Sequence, residues 1–133
     1  MKILIVDDDL ANCQLIKHLL ASFCEPDIVT NGEKAVNAFL EAHKSKAPYD
    51  VIFLDIMMPE KDGHQVLQEI RDWEAKNLKY GEGEGESKIV MVSALDSKDH
   101  ILSSFKEGCE FFLVKPISKS KVLNVMAEMG YKT

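Results

Sequence analysis

Asp7, Asp8 and Asp9 follow directly on the apolar run ILIV, and a further carboxylate, Asp55, ends the run VIFL. Ser93 ends KIVMV in the same way, and Lys115, with Pro116 behind it, ends FFLV. These residue types make a chemical set. Clustered carboxylates with no neighbouring His or Cys favour a hard cation held by oxygen, Mg2+ above all, with Mn2+ as a substitute. A carboxylate beside such an ion and an ammonium is an oxygen nucleophile able to take a phosphoryl group. Ser93 can donate a hydrogen bond to that group and Lys115 can pair with it. Phosphoryl transfer asks mainly for positioning and charge neutralisation, which these groups supply. Two like charges ~4 Å apart repel by ~4 kcal/mol near a protein surface, so the aspartate run itself calls for a positive partner.

The positions of these residues follow from the elements around them. Residues 2–6, KILIV, form a short β-branched run of the kind that is buried on both faces of a sheet. From Leu10 the period becomes helical, with Leu15, Ile16, Leu19, Leu20 and Phe23 recurring at helical spacing. Residues 27–30 make a second strand, Asn31-Gly32 a turn signal, and Ala35, Val36, Phe39 and Leu40 a second helical stripe. A third strand spans 50–55, and Asp62 is placed to cap a third helix carrying Val66, Leu67, Ile70 and Trp73. The fourth strand, 88–93, precedes a helix with Ile101, Leu102 and Phe105 that Gly108 ends. The fifth strand, 110–115, precedes a last helix with Val122, Leu123, Val125 and Met126. Apolar strands alternating with amphipathic helices predict an α/β fold of (βα)5 type, a parallel sheet with helices on both faces.

In such open sheets, ligands sit beyond the carboxyl ends of the strands. Four strands therefore deliver Asp7, Asp8, Asp55, Ser93 and Lys115 to one rim. Asp9 falls where strand gives way to helix, so it reads as a helix cap rather than a ligand.

Composition narrows the function. The chain has 133 residues, 46% hydrophobic and 29% charged, which suits one domain spanning 1–133 with one core. A net charge of -6 and the lack of a basic run argue against direct nucleic-acid binding. No apolar stretch approaches the ~20 residues of a membrane span, and residues 1–20 lack a signal-peptide layout. Cys13, Cys24 and Cys109 are an odd number at unrelated spacings and read as free thiols in a reducing cytoplasm. The four histidines are scattered and read as structural or exposed. Residues 76–88, rich in alternating Gly and Glu, read as a flexible loop at the end of the sheet opposite the rim.

VDD at 6–8, LDIMMPEKDG at 54–63, MVSA at 91–94 and LVKP at 113–116 resemble the receiver domains of two-component response regulators of the CheY-like, stand-alone kind. The resemblance covers essentially the whole chain. It implies a flavodoxin-like fold with strand order 2-1-3-4-5. It implies that Asp55 accepts a phosphoryl group from a sensor histidine kinase or a histidine phosphotransfer protein. It also implies that Asp7, Asp8, Asp55 and the Met57 backbone carbonyl hold Mg2+. Ser93 and Lys115 would contact the phosphoryl group, Ser93 and Phe112 would form the switch, and Pro59, Gly63 and Pro116 would shape the loops, the Lys115–Pro116 bond being cis. A downstream protein would dock on the face made by helix four, strand five and helix five. Met57 and Leu95 stand where the family tunes access of water to the phosphoryl group. Both are apolar, which implies slow self-dephosphorylation.

Other readings predict other residues. An aspartyl-nucleophile phosphatase of the haloacid dehalogenase kind carries a second Asp two positions after the first, where this chain has Met57. A degenerate receiver acting only by docking would lack the acidic pair, Asp55 or Lys115, and all are present. A flavin-binding domain needs glycines or hydroxyls where this chain has DDDLAN. A Met start and a helix running nearly to Thr133 favour a complete chain over an excised receiver module, one that acts by docking or by passing phosphate along a relay.

Overall fold

Each apolar run forms a strand and each amphipathic stretch a helix. In order they are β1 (Ile3–Val6), α1 (Leu10–Leu19), β2 (Asp27–Val29), α2 (Gly32–Lys44), β3 (Val51–Asp55), α3 (Gly63–Asn77), β4 (Lys88–Ser93), α4 (Lys98–Glu107), β5 (Phe111–Val114) and α5 (Lys119–Glu128). They are seen in a computed structural model that describes residues 1–78 and 86–132. Among the described residues the strands form one parallel sheet in the order β2-β1-β3-β4-β5, as the resemblance implies. Of the expected loop at 76–88, residues 76 and 77 belong to α3 and residue 88 opens β4. Residues 79–85, with most of the Gly-Glu alternation, lie outside the described residues.

Side chains alternate across the sheet because the strand repeat is two residues. Leu4, Val6, Ile52, Leu54, Ile89 and Met91 meet Phe39 of α2 and Val66, Leu67 and Ile70 of α3. Ile3, Ile5, Val51, Phe53, Val90 and Val92 meet Cys13 and Ile16 of α1, and Val122, Val125 and Met126 of α5. A central strand covered on both faces cannot slip by one residue without exchanging two cores, so its register is fixed. That fixed register holds the last residue of each strand at the rim.

Three local details differ from what the pattern suggests. Asn31 does not make a free turn; its Oδ1 accepts from Lys34 N at 2.8 Å and caps α2. Ile101, Leu102 and Phe105 all lie on α4, yet Leu102 and Phe105 are 49% and 42% exposed, and the buried residue of the helix is Ser104. Helical spacing fixes which residues share a face but not which face meets the core. At the far end of the sheet, Arg71 joins three segments. Its guanidinium donates to Gly108 O at 2.9 Å, to Glu74 Oε1 at 2.6 Å, to Ser87 O at 2.8 Å and to both oxygens of Glu110 at 2.7 and 2.8 Å. Glu110 in turn accepts from Ile89 N and Glu74 from Ser87 N, each at 2.9 Å. Glu74 is the buried charge of this set, and it is tolerated because Arg71 and Ser87 N pair with it.

The loop from β3 to α3 is drawn tightly under the rim. Ile56 N donates to Val92 O at 3.0 Å, and Gly63 N donates back to Ile56 O at 2.9 Å. Asp62 and Gln65 then close a reciprocal capping box at the start of α3, as expected for Asp62. A Cβ on Gly63 would stand 2.5 Å from Asp55 O and 2.7 Å from Ile56 Cα, both backbone atoms that cannot move aside cheaply. Gly63→Ala should therefore destabilise the fold by ~2 kcal/mol, read as a lower urea midpoint at unchanged m-value, because a small-to-large change against backbone forces a local shift.

Candidate functional site

Each strand end now has a definite environment. Asp7 is buried and its neighbour Asp8 is exposed, since successive residues leaving a strand point to opposite sides. Asp7 is held at three points. Its N–H donates to Val29 O at 3.3 Å, its carbonyl accepts from the Cys13 thiol at 3.3 Å, and its Oδ1 accepts from Asp9 N at 2.9 Å. Burial, with Asp7 and Asp9 nearby, pushes the Cys13 thiol up to about 11, so it stays a protonated donor. The Asp9 side chain caps α1 by accepting from Ala11 N at 2.9 Å. Asp9 therefore turns its carboxylate to the helix and only its backbone to the site.

Asp55 is 3% exposed at the end of β3. Lys115 reaches it from the end of β5, with Nζ 3.2 Å from Asp55 Oδ1 and 3.5 Å from Asp7 Oδ2. These are ion-pair distances without hydrogen-bond geometry, and both oxygens are buried with no hydrogen-bond partner. Burial first, and then the Asp7 charge, push the Asp55 carboxyl up to about 6 against the pull of Lys115. Burial pushes the Lys115 ammonium down, but Asp55 and Asp7 more than offset it and hold it above its ordinary value. The cluster is thus two buried carboxylates sharing one ammonium, with Asp8 on the solvent side.

An oxygen from each of Asp7, Asp8 and Asp55 lies within 4.8 Å of the others. Three carboxylate oxygens with no sulfur or imidazole among them suit a hard divalent cation, and the orphaned Asp7 and Asp55 oxygens are where such an ion would restore balance. Ser93 is fully buried at the end of β4, and its Oγ accepts from Leu95 N at 3.0 Å while donating to no group among the described residues. Met57 is 60% exposed in the loop after Asp55, and Pro59 follows it. The Lys115–Pro116 peptide is cis.

Phe112, on β5 opposite Met91, packs half-buried against the core. Its ring meets His100 of α4 edge-on at 5.7 Å, and His100 meets His64 of α3 at 5.4 Å. His64 pairs in turn with Glu107. The sequence reading treats these histidines as scattered. They lie 36 positions apart, and only the packing of α4 on α3 brings them together. His43, by contrast, is a packing residue set against Phe39 and Trp73.

The response regulator receiver domain profile matches residues 3–127. The chain belongs to that family. Hybrid signal transduction histidine kinase L of Dictyostelium discoideum is 34% identical over 131 residues, which are 97% of this chain and 7% of that protein's length. The chemotaxis protein CheY of Bacillus subtilis is 30% identical over 125 residues, 94% of this chain and 93% of the other. The solved CheX-CheY-BeF3-Mg2+ complex from Borrelia burgdorferi superposes with a TM-score of 0.80 at 26% identity, covering 99% of this chain and 90% of that one. The chain is thus a CheY-like receiver domain of two-component signalling, a class of switch rather than of conventional enzyme. No helix among the described residues is long and apolar enough to cross a membrane.

The buried acidic pair gives a stability test. The folded Asp55 carboxyl keeps its proton up to about pH 6, whereas the unfolded one releases it near the ordinary value of 3.8. Its contribution is therefore fully present below pH 3.8 and is lost as pH rises through 6. Asp55→Asn should stabilise the ion-free protein at pH 7.5 by ~2 kcal/mol, and much less at pH 4. Urea unfolding in EDTA at the two pH values measures both.

Proposed function

We propose that this receiver domain accepts a phosphoryl group on Asp55 from a phosphohistidine of a sensor kinase or phosphotransfer protein. The observation that carries the reading is the convergence of Asp7, Asp8, Asp55 and Lys115 at one rim, with two buried carboxylate oxygens lacking hydrogen-bond partners. The fit of that oxygen set to a hard cation supports Mg2+, which the solved Borrelia CheX-CheY-BeF3 complex contains. Asp7, Asp8, Asp55 and the Met57 carbonyl would hold the ion. When bound, it supplies charge neutralisation to the carboxylates and to the incoming phosphoryl oxygens.

The remaining steps belong to the protein. An Asp55 oxygen attacks phosphorus in line, the phosphorus–nitrogen bond breaks, and its electron pair leaves with the donor imidazole. Lys115, already an ion-pair distance from Asp55, neutralises the phosphoryl oxygens. Ser93 gives up its bond from Leu95 N and turns its hydroxyl to the phosphoryl group. Phe112 then takes the space that movement leaves, and its edge contact with His100 changes with it. The switch is read on the face of α4, β5 and α5, where Leu102 and Phe105 are exposed to a protein partner. The chain would work as a phosphorelay domain in the cytoplasm.

Incubation with Mg2+ and acetyl phosphate, followed by intact-mass measurement, tests the assignment. One phosphoryl adduct should form, need Mg2+, and vanish in Asp55→Asn. Asp8→Ala should weaken the Mg2+ requirement's half-point at least tenfold, while Asp9→Ser should leave it nearly unchanged. Repeated turnover of phosphate esters would instead indicate a hydrolase, and no adduct would indicate docking alone. Because neither exposed Met57 nor Leu95 can orient a water, the adduct should be long-lived. Met57→Asn should shorten its half-life severalfold, as followed by loss of the adduct mass.

A further inference from the structure

Lys121, on the first turn of α5, grips the backbone on both sides of Lys115. Its Nζ donates to Val114 O at 2.8 Å and to Pro116 O at 3.0 Å. The need for such a donor follows from topology. Among the described residues β5 is an edge strand, paired only with β4. Lys115 N donates to Ser93 O at 2.8 Å, toward β4. In a planar trans peptide the carbonyl points opposite to the N–H, so Val114 O faces away from the sheet, where no strand follows. Pro116 has no N–H, and its carbonyl likewise lies beyond the ladder. One ammonium takes up both oxygens.

The anchor is itself fixed. Lys121 N donates to Ser118 Oγ, the cap of α5, at 3.3 Å. Among the described residues, no carboxylate lies within ion-pair distance of Lys121, so its charge is committed to these two carbonyls. The residue between them is the one whose ammonium must stand 3.2 Å from Asp55 and 3.5 Å from Asp7. Ser93 O holds that residue's backbone from the sheet side and Lys121 holds it from the helix side.

We propose that Lys121 is a positioning residue for Lys115, fixing through its ammonium the two backbone carbonyls that flank it and so the reach of Lys115 to the phosphoryl site. The inference rests on the phosphoryl-accepting reading for its consequence, though not for its geometry. An ammonium displaced by ~1 Å loses much of its effect on a transferring group, which sets the expected size.

Lys121→Met keeps the aliphatic length and removes the donor; Lys121→Arg keeps a donor able to reach both oxygens. With acetyl phosphate and saturating Mg2+, Lys121→Met should accept phosphate about tenfold more slowly. Its Mg2+ half-point should stay within about twofold, because no ion ligand has been touched. Lys121→Arg should return the rate to within about threefold of wild type. The 15N signal of the Lys115 ammonium should shift in Lys121→Met and return in Lys121→Arg, without any phosphodonor present. A wild-type rate in Lys121→Met with an unmoved Lys115 signal overturns the inference. So does a parallel loss of rate, Mg2+ affinity and thermal stability that Arg does not rescue, since that is a general weakening of the fold. If wild type itself forms no adduct, the phosphoryl reading fails, and the Lys115 signal alone decides whether Lys121 positions it.

Discussion

Everything at the rim depends on one imbalance: two buried carboxylates, Asp7 and Asp55, face a single ammonium, Lys115. A matched pair would be a structural salt bridge with nothing left to bind. Among the described residues two of their oxygens have no hydrogen-bond partner, and burial, with the Asp7 charge added, pushes the Asp55 carboxyl up to about 6. The sheet must therefore be rigid enough to hold like charges together. Central strands with core on both faces provide that rigidity, and the residues at or just beyond their carboxyl ends inherit it. The same imbalance makes the site responsive, because a cation or a phosphoryl group alters the charge count that the surrounding loops must accommodate.

Much of this is legible in the sequence for a simple reason. Asp7, Asp55, Ser93 and Lys115 each end an apolar run, and an apolar run followed by a helical period is a strong signal for a buried parallel strand. The rim can then be assembled without knowing any distance. The order of the strands cannot, since pattern alone does not say which neighbours pair; that came from family resemblance. The division of labour among the three adjacent aspartates was partly legible. The change of period assigns Asp9 to the helix, whereas the burial of Asp7 and the exposure of Asp8 emerge only from the structure. What no pattern shows is that Asp9 also steadies Asp7 through its backbone N–H.

The features that escaped sequence reading share a physical cause. The Arg71 set draws on residues 71, 74, 87, 108 and 110, each an ordinary surface type by itself. The row from His64 through His100 to Phe112 likewise exists only because α4 lies beside α3 and β5. Helical periodicity suggests that α4 has an apolar side, but two of its residues, Leu102 and Phe105, are turned to solvent. Interactions between elements depend on how the elements pack, and sequence spacing carries little of that.

The closure of the fold opposite the rim has a practical side. Leu78 N donates to the carbonyl of Glu74 and Ser87 N to its side chain, each at 2.9 Å. Leu78 and Ser87, on the two sides of residues 79–85, are thus both tied to Glu74. Closing a longer connection adds only about 0.6 kcal/mol per doubling of its length. A change in the number of residues between Leu78 and Ser87 should accordingly cost the fold little, since both anchors lie on Glu74. Those anchors, Glu74 and Ser87, stand before β4 opens, with the whole length of that strand between them and the acidic rim.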